Sequence, residues 1–329
     1  MNTHSTIHLK FCLINAENLF LLFDTPPTQK ILDLNEDEWQ KLSSSLYENK
    51  PLEKTRRLAE SLKKIDADII LLCEVGGYES LKNFNQLFLQ DQYSVCLMEG
   101  NSQRNIDVGF LIRKGLDFYF DLQSNKNRPI NYLYPHERRT LSGKTPQVSH
   151  KFSRDVAELK LFKKDREKPF LIVLLTHLKS RLDPERIDAG GFERRQAELK
   201  TLLEIYQDLL KAYPMCPMIV AGDFNGNASP QQTDEEFKTI YSTTDLKDVL
   251  DLSNIPQQQR ITFHQVRPNS TADQPAADGR QLDYCFLNTP LQNCLKKDSA
   301  KVLRYNDFFG LPIDTPATLH EKLNMPSDH

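Results

Sequence analysis

The sequence predicts an α/β fold. Short apolar runs alternate with amphipathic segments along most of the chain, the pattern of strands and helices packed in layers. Several of the runs also end on a polar residue that is costly to bury without purpose. The clearest is residues 69–74, apolar from Ile69 to Cys73 and closed by Glu74, as in a buried central strand.

Taken in order, residues 7–14 read as a strand. Residues 19–23 are apolar but run into Pro26 and Pro27. Asn35 and Glu38 form a helix-start signature that leads into Trp39, Leu42 and Leu46 at helical spacing. Leu52, Arg56, Leu58, Ala59 and Leu62 continue as an amphipathic helix before the 69–74 strand. Further strands are expected at residues 108–112, 156–161, 170–176, 218–221 and 282–287. Helices are expected at residues 80–89 and 192–212, the second presenting Leu199, Leu202, Leu203, Ile205 and Leu209 to a core. Residues 269–279 read as a solvated loop, and with no repeat or low-complexity block the expectation is one domain over residues 1–329. Within it, residues 21–50 form an insert whose Phe23, Trp39 and Tyr47 make a minor core or wall a cleft.

Composition narrows the function. The 329 residues are 39% hydrophobic and 26% charged, a globular balance, and the net charge is −3. A protein that coats nucleic acid nonspecifically needs a basic surface, whereas an enzyme with a local basic groove does not. The six cysteines contain no C-x-x-C pair, so buried reduced thiols are expected and a zinc site is not. Residues 1–10 lack a basic-then-apolar leader pattern, and no apolar run approaches membrane-spanning length. The expectation is a cytoplasmic monomer.

The polar strand ends carry the chemistry. Asn15 follows residues 11–14, Glu74 closes 69–73, His177 closes 170–176, Asp223 and Asn225 follow 218–222, and Asp283 lies within an apolar run. In α/β folds ligands gather where strand ends meet, and buried carboxylates there are usually paired or metal-bound. Each has a bland reading alone, since Asp-x-Asn is often only a turn. Their coincidence in one chain is the signal.

The segments Asn15-Ala16-Glu17-Asn18-Leu19-Phe20, Leu72-Cys73-Glu74-Val75, Thr176-His177-Leu178-Lys179-Ser180, Gly222-Asp223-Phe224-Asn225, Gln281-Leu282-Asp283-Tyr284 and Ser327-Asp328-His329 occur in that order. This ordered set resembles the motifs of the endonuclease/exonuclease/phosphatase superfamily, the DNase I-like fold, and residues 106–111 and 152–156 look like its bacterial members. The resemblance implies a four-layer α/β sandwich, with two facing mixed β-sheets covered by helices. It implies a divalent-metal-dependent phosphoesterase with Glu74 as principal Mg²⁺ (or Mn²⁺) ligand and Glu17, Asp328 and Asn15 nearby. All-oxygen donors suit such a hard cation. Asp223 would orient or deprotonate the attacking water, Asn225 would hold the scissile phosphate, and His177 and His329 would donate to its oxygens. Asp283 would orient the His329 ring. The family pattern continues past Ser-Asp-His into a short final strand, whereas this chain ends at His329. His177 stands where some nuclease members place a tyrosine, which leans away from abasic-site enzymes.

Around these motifs, Lys179, Arg154 and Arg181 are candidate contacts to substrate phosphate, although exposed charge usually just stays solvated. Asp107 is expected to fix a turn, and His136, His150, His264 and His320 to be structural. Nucleic acid is the first candidate substrate. The alternative is a phosphatase or phospholipase C-type hydrolase of inositol phosphates, nucleotides or sphingomyelin. An inactive binding protein is the third reading, and it predicts loss of a site residue where this chain keeps them all.

Overall fold

Alternation along the central strands decides the architecture. The structure, a computed structural model, describes residues 7–139, 148–164, 166–266, 277–296, 298–306, 311, 316, 318–323 and 325–329. Strands β1 (Phe11–Leu19), β2 (Ile69–Val75), β3 (Tyr93–Cys96) and β4 (Asp107–Arg113) form one sheet in the order β1-β2-β4-β3. Strands β5 (Tyr119–Ser124), β6 (Val156–Phe162), β7 (Pro169–His177), β8 (Met218–Asp223), β9 (Lys247–Asp248) and β12 (Asp283–Leu287) form a second, in the order β5-β6-β7-β8-β12-β9. Strands β10 (Phe263–Val266) and β11 (Ala277–Arg280) make a separate hairpin. Both large sheets mix parallel and antiparallel pairs: β1 with β2 and β7 with β8 are parallel, while β2 with β4 and β8 with β12 are antiparallel.

Because side chains alternate along a strand, each central strand feeds two cores. Ile69, Leu71 and Cys73 of β2 meet Val173 and Leu175 of β7 and Ile219 and Ala221 of β8 in a layer between the sheets. Ile70 and Leu72 point the other way, toward helices α2 (Leu52–Ile65) and α3 (Gly77–Phe88), which follow the short α1 (Glu36–Gln40). Ile172, Leu174, Met218 and Val220 face the opposite outer layer, where α5 (Phe192–Ala212) packs after the five-residue α4 (Pro135–Arg139). The result is helix, sheet, sheet, helix. Burial on both faces explains why these strands read as unbroken apolar runs.

The long helix α5 keeps its predicted limits and buries all five of its predicted core leucine and isoleucine residues. Asn35 and Glu38 form a reciprocal capping box at 3.0 and 3.2 Å. The helix it starts is shorter than expected, however: α1 ends at Gln40 and Leu46 is 99% exposed. Its chain is turned back by Asp24, which accepts from Ser44 N, and by Asn49, which pairs with the Leu22 backbone at 2.7 and 3.0 Å. Trp39 is fully buried, gives its indole N–H to the Lys50 carbonyl, and meets Phe23 edge-on. Tyr47 instead stacks on Phe20, 4.8 Å between centroids. Residues 269–276 of the expected 269–279 loop lie outside the described residues, and residues 277–279 belong to β11. All six cysteines are free thiols. Among the described residues no helix is long and apolar enough to cross a membrane.

Candidate active site

Strand register assembles the site. In the six-stranded sheet, His177 of β7 and Asp283 of β12 both lie opposite Asp223 of β8, one on each side. Three ionisable side chains from segments distant in sequence therefore stand in one row. Across the inter-sheet layer, β1 brings Asn15, whose Nδ2 donates to Asp223 Oδ2 at 3.0 Å. The other Asp223 oxygen accepts from Asn225 N at 2.8 Å. Ser327 donates to the Asn15 carbonyl at 2.6 Å and so ties residues 325–329 to β1. That tether delivers His329, whose Nδ1 lies 2.7 Å from Asp283 Oδ2.

Asp223 is the hub. Its Oδ2 is 3.6 Å from His177 Nε2 and 3.9 Å from His329 Nε2. Glu74 Oε1 is 3.9 Å from His177 Nε2, while Glu74 Oε2 accepts from Asn18 N at 3.1 Å. Burial pushes the Asp223 carboxyl well up, Asp283 and Glu74 add to that, and His329 opposes it. Burial would lower the His329 ring, but Asp283, Asp223 and Asp328 overcome it and raise the ring to about 10. His177 is held well below its usual range, first by burial and then by Arg154 and His329. Two imidazoles therefore flank one carboxylate in opposite charge states, the His329 ring cationic and the His177 ring neutral.

The backbone is bent to make this site. Gly222 has φ +143°, and a Cβ there would lie 1.8 Å from the Thr176 carbonyl oxygen, so only glycine lets β8 approach β7 just before Asp223. Glu17, Asn18, Glu74 and Asn225 all have φ between 48° and 61°. For the glutamates such a backbone is unfavourable and needs surrounding contacts to hold it.

Other expected residues fall as follows. Glu17 is ion-paired with Lys54 at 2.6 Å and Lys50 at 3.4 Å, and Asp328 with Lys322 at 3.1 Å. Asn225 Nδ2 donates to the Leu178 carbonyl at 3.0 Å. Arg154 is 6% exposed, and its Nε is buried without a partner. Lys179 Nζ donates to the carbonyls of Ser180 and Leu182, and Arg181 pairs with Asp234. Asp107 accepts from Gly100 N at 2.7 Å, which fixes a turn. His150 pairs with Glu137, and His264 is buried beside Arg304.

Glu198 went unrecognised in the sequence because it sits on α5 among helix charges. It is 1% exposed and accepts from Ser153 N and Lys179 N, both at 2.7 Å. Thr262 was also missed; its hydroxyl donates to Asp283 Oδ2 at 2.7 Å, on the oxygen that holds His329. Neither leaves a local sequence signal, because both contacts bridge distant segments.

No family model and no curated protein matches the sequence. Solved structures do. Truncated TDP2 from Caenorhabditis elegans is 17% identical over 84% of this chain and 87% of its own, with a TM-score of 0.50. TDP2 from D. rerio, humanized by 14 mutations, is 15% identical over 98% and 95%, with a TM-score of 0.51. The chain has the DNase I-like fold. In this DNase I-like chain the cluster lies at one end of the paired sheets, where β1, β2, β7, β8 and β12 present Asn15, Glu74, His177, Asp223 and Asp283 together. Fold alone does not assign chemistry; the side chains must.

Proposed function

We propose that this chain is a divalent-metal-dependent phosphoesterase that hydrolyses phosphodiesters, with nucleic acid as its first candidate substrate. One observation carries the reading. A buried carboxylate, Asp223, is fixed by two amide donors and set between a neutral and a cationic imidazole, with Glu74 3.9 Å from the neutral ring. Phosphoryl transfer to water requires a positioned nucleophile and compensation for charge on the equatorial oxygens. This cluster supplies groups of both kinds.

Asp223 acts as the base. Burial raises its proton affinity toward the working pH, where a general base is most effective. Asn15 and Asn225 fix both of its oxygens, so a water that it accepts a proton from is aimed rather than free. His329 donates from Nε2 to a phosphate oxygen, because its Nδ1 is committed to Asp283. His177 donates one N–H from a neutral ring. Asn225 keeps a second amide N–H for the scissile phosphate beyond the one given to Leu178. Arg154 adds a buried positive charge, drawn electrostatically to Glu74 and Asp223.

The donors fit a hard cation at Glu74. Its Oε1 accepts no hydrogen bond from the described residues, and Mg²⁺ commonly takes one or two carboxylates and keeps its waters. Glu17 and Asp328 are each held by lysine, which leaves Glu74 as the direct ligand and those two as outer partners. The ligand atoms of Asp223, Asp283 and His329 also lie within 4.8 Å of one another, but they are already engaged, Asp283 with the His329 Nδ1 and both Asp223 oxygens with Asn15 and Asn225. When bound, the metal supplies Lewis acidity toward the phosphoryl and leaving oxygens.

The test is hydrolysis by wild type and Asp223→Ala over single- and double-stranded DNA, RNA, phosphoinositides and sphingomyelin. Chelator-sensitive cleavage of nucleic acid that disappears in the variant supports the proposal. Turnover that survives in Asp223→Ala, or that ignores the chelator, removes it.

A further inference from the structure

A second cavity adjoins the candidate site. It has a volume of about 550 Å³ and is built largely by the insert, sharing only Glu17 and Asn18 with the catalytic cluster. Three cations line it: Lys50, Lys54 and Arg104. Lys50 and Lys54 share one carboxylate, that of Glu17. Arg104 meets no carboxylate among the described residues; its guanidinium donates to the neutral Asn18 Oδ1 at 2.7 Å. The remaining acid in the lining is Glu48, on the exposed rim.

Two aromatic rings also line it. Phe20 and Tyr47 lie parallel, 4.8 Å between centroids and 8° between planes. Asn105 holds the Tyr47 hydroxyl at 2.9 Å, and Leu46 stands beside it in solvent. An exposed leucine next to a flat ring, in a cavity lined by three cations, has no evident purpose in a core. The insert's own core is made elsewhere, by Trp39 and Phe23. The cavity is continuous with the scissile region through Asn18, whose N–H holds Glu74 and whose side chain accepts from Arg104.

We propose that this cavity is a nucleotide subsite. It takes the unit next to the scissile phosphate in a single strand, with the base against the outer face of Tyr47, which Phe20 backs, and its phosphate at Lys54 and Arg104. A volume of this size encloses a ligand of nucleotide dimensions, and a base can enter it only when unpaired. Stacking on an aromatic face together with neighbouring cations is the general chemistry of single-strand binding. The proposal deepens the phosphodiesterase reading and rests on it for the adjacent scissile bond.

The test separates the two. Binding of a fluorescent oligothymidylate, and of an abasic strand of equal length, is measured by anisotropy in chelator, so that no hydrolysis is required. Wild type should prefer the base-bearing strand by at least about fivefold. Tyr47→Ala should lose that preference. Lys54→Met with Arg104→Met should weaken both strands about tenfold and flatten their salt dependence. Leu46→Ser, at a side chain exposed in full, gives a second variant of the apolar wall should Tyr47→Ala fail to fold. Equal affinity for both strands in wild type overturns the subsite in favour of a simple anion site. Unchanged affinity in the cation variant overturns it outright. Hydrolysis of bis(4-nitrophenyl) phosphate, which carries one phosphate, is measured in parallel and should be unchanged in Tyr47→Ala and Leu46→Ser. Failure of wild type in that assay sinks the phosphodiesterase reading while the binding result still decides the subsite.

Discussion

Asp283 and His329 lie 46 residues apart in sequence and 2.7 Å apart in space, with Thr262 donating to the same carboxylate oxygen. The Asp283 carboxylate orients the ring and holds its proton, and Phe263 packs against the ring with 4.9 Å between centroids. The other ring nitrogen is left aimed toward Asp223.

That arrangement predicts a pH signature in Asp283→Asn. His329 rises from 6.5 to about 10 on folding, so the folded state binds the extra proton between those values. Its contribution to stability is complete below about pH 6.5 and is lost as pH rises through about 10. The stability difference between wild type and Asp283→Asn, from denaturant unfolding of metal-free protein, should be largest near pH 6 and shrink toward pH 10. Nuclear magnetic resonance of the ring should show it protonated at pH 8 in wild type and neutral in the variant. A difference that grows with pH would overturn the assignment.

Asp223→Asn should abolish most turnover without unfolding the chain. The amide keeps the shape but loses the basic oxygen, and a positioned base is typically worth about 10²- to 10⁴-fold. The check is kcat on a nucleic-acid substrate beside a far-ultraviolet spectrum and an unfolding curve. Removing the buried charge relieves its desolvation, but the amide can accept from only one of Asn15 Nδ2 and Asn225 N, so stability should fall by no more than about 1–3 kcal/mol. A large loss of stability would mean that the carboxylate is structural.

How much of this could be read from the sequence varies with the kind of contact. Strands β2, β7 and β8 were legible because burial on both faces leaves unbroken apolar runs. Helix α5 was legible because its apolar stripe spans many turns. Strand β5 was not: all six of its residues pair with β6 alone, it sits at the sheet edge, and Tyr119 and Phe120 are exposed, so no periodic signal forms. The helix expected to run through Leu46 failed because spacing alone does not detect the turn that Asp24 and Asn49 impose from outside. The polar strand ends were visible one by one. What the sequence could not show is which carboxylates are already occupied, as Glu17 is by Lys50 and Lys54, since such pairs form between distant segments.

Gly222→Ala should disrupt the site from behind. The new Cβ would sit 1.8 Å from the Thr176 carbonyl oxygen, at a φ of +143° that side chains rarely adopt. Strands β7 and β8 must separate there or Asp223 must turn. The expected loss of stability exceeds about 1 kcal/mol, with turnover falling further than stability alone explains. Denaturant unfolding and kcat on the same preparation check this, and a variant with wild-type values for both would mean the backbone relaxes freely.

Glu198 offers the sharpest separation of positioning from chemistry. Its buried carboxylate accepts from Ser153 N, next to Arg154, and from Lys179 N, two residues beyond His177. One side chain on α5 thereby fixes two loops that carry groups of the candidate site, while touching none of the reacting positions. Glu198→Ala strands both backbone donors in the interior, at a cost of about 1–3 kcal/mol each. Glu198→Gln retains a single carbonyl acceptor, so it should keep one loop in place and lose the other. A positioning role predicts that kcat falls in the order wild type, Gln, Ala, while the pH profile keeps its shape because Asp223 and His329 are untouched. A shifted profile in Glu198→Gln would instead place the Glu198 charge in the electrostatics of the reaction, acting through Arg154, whose proton affinity burial lowers and Glu198 supports.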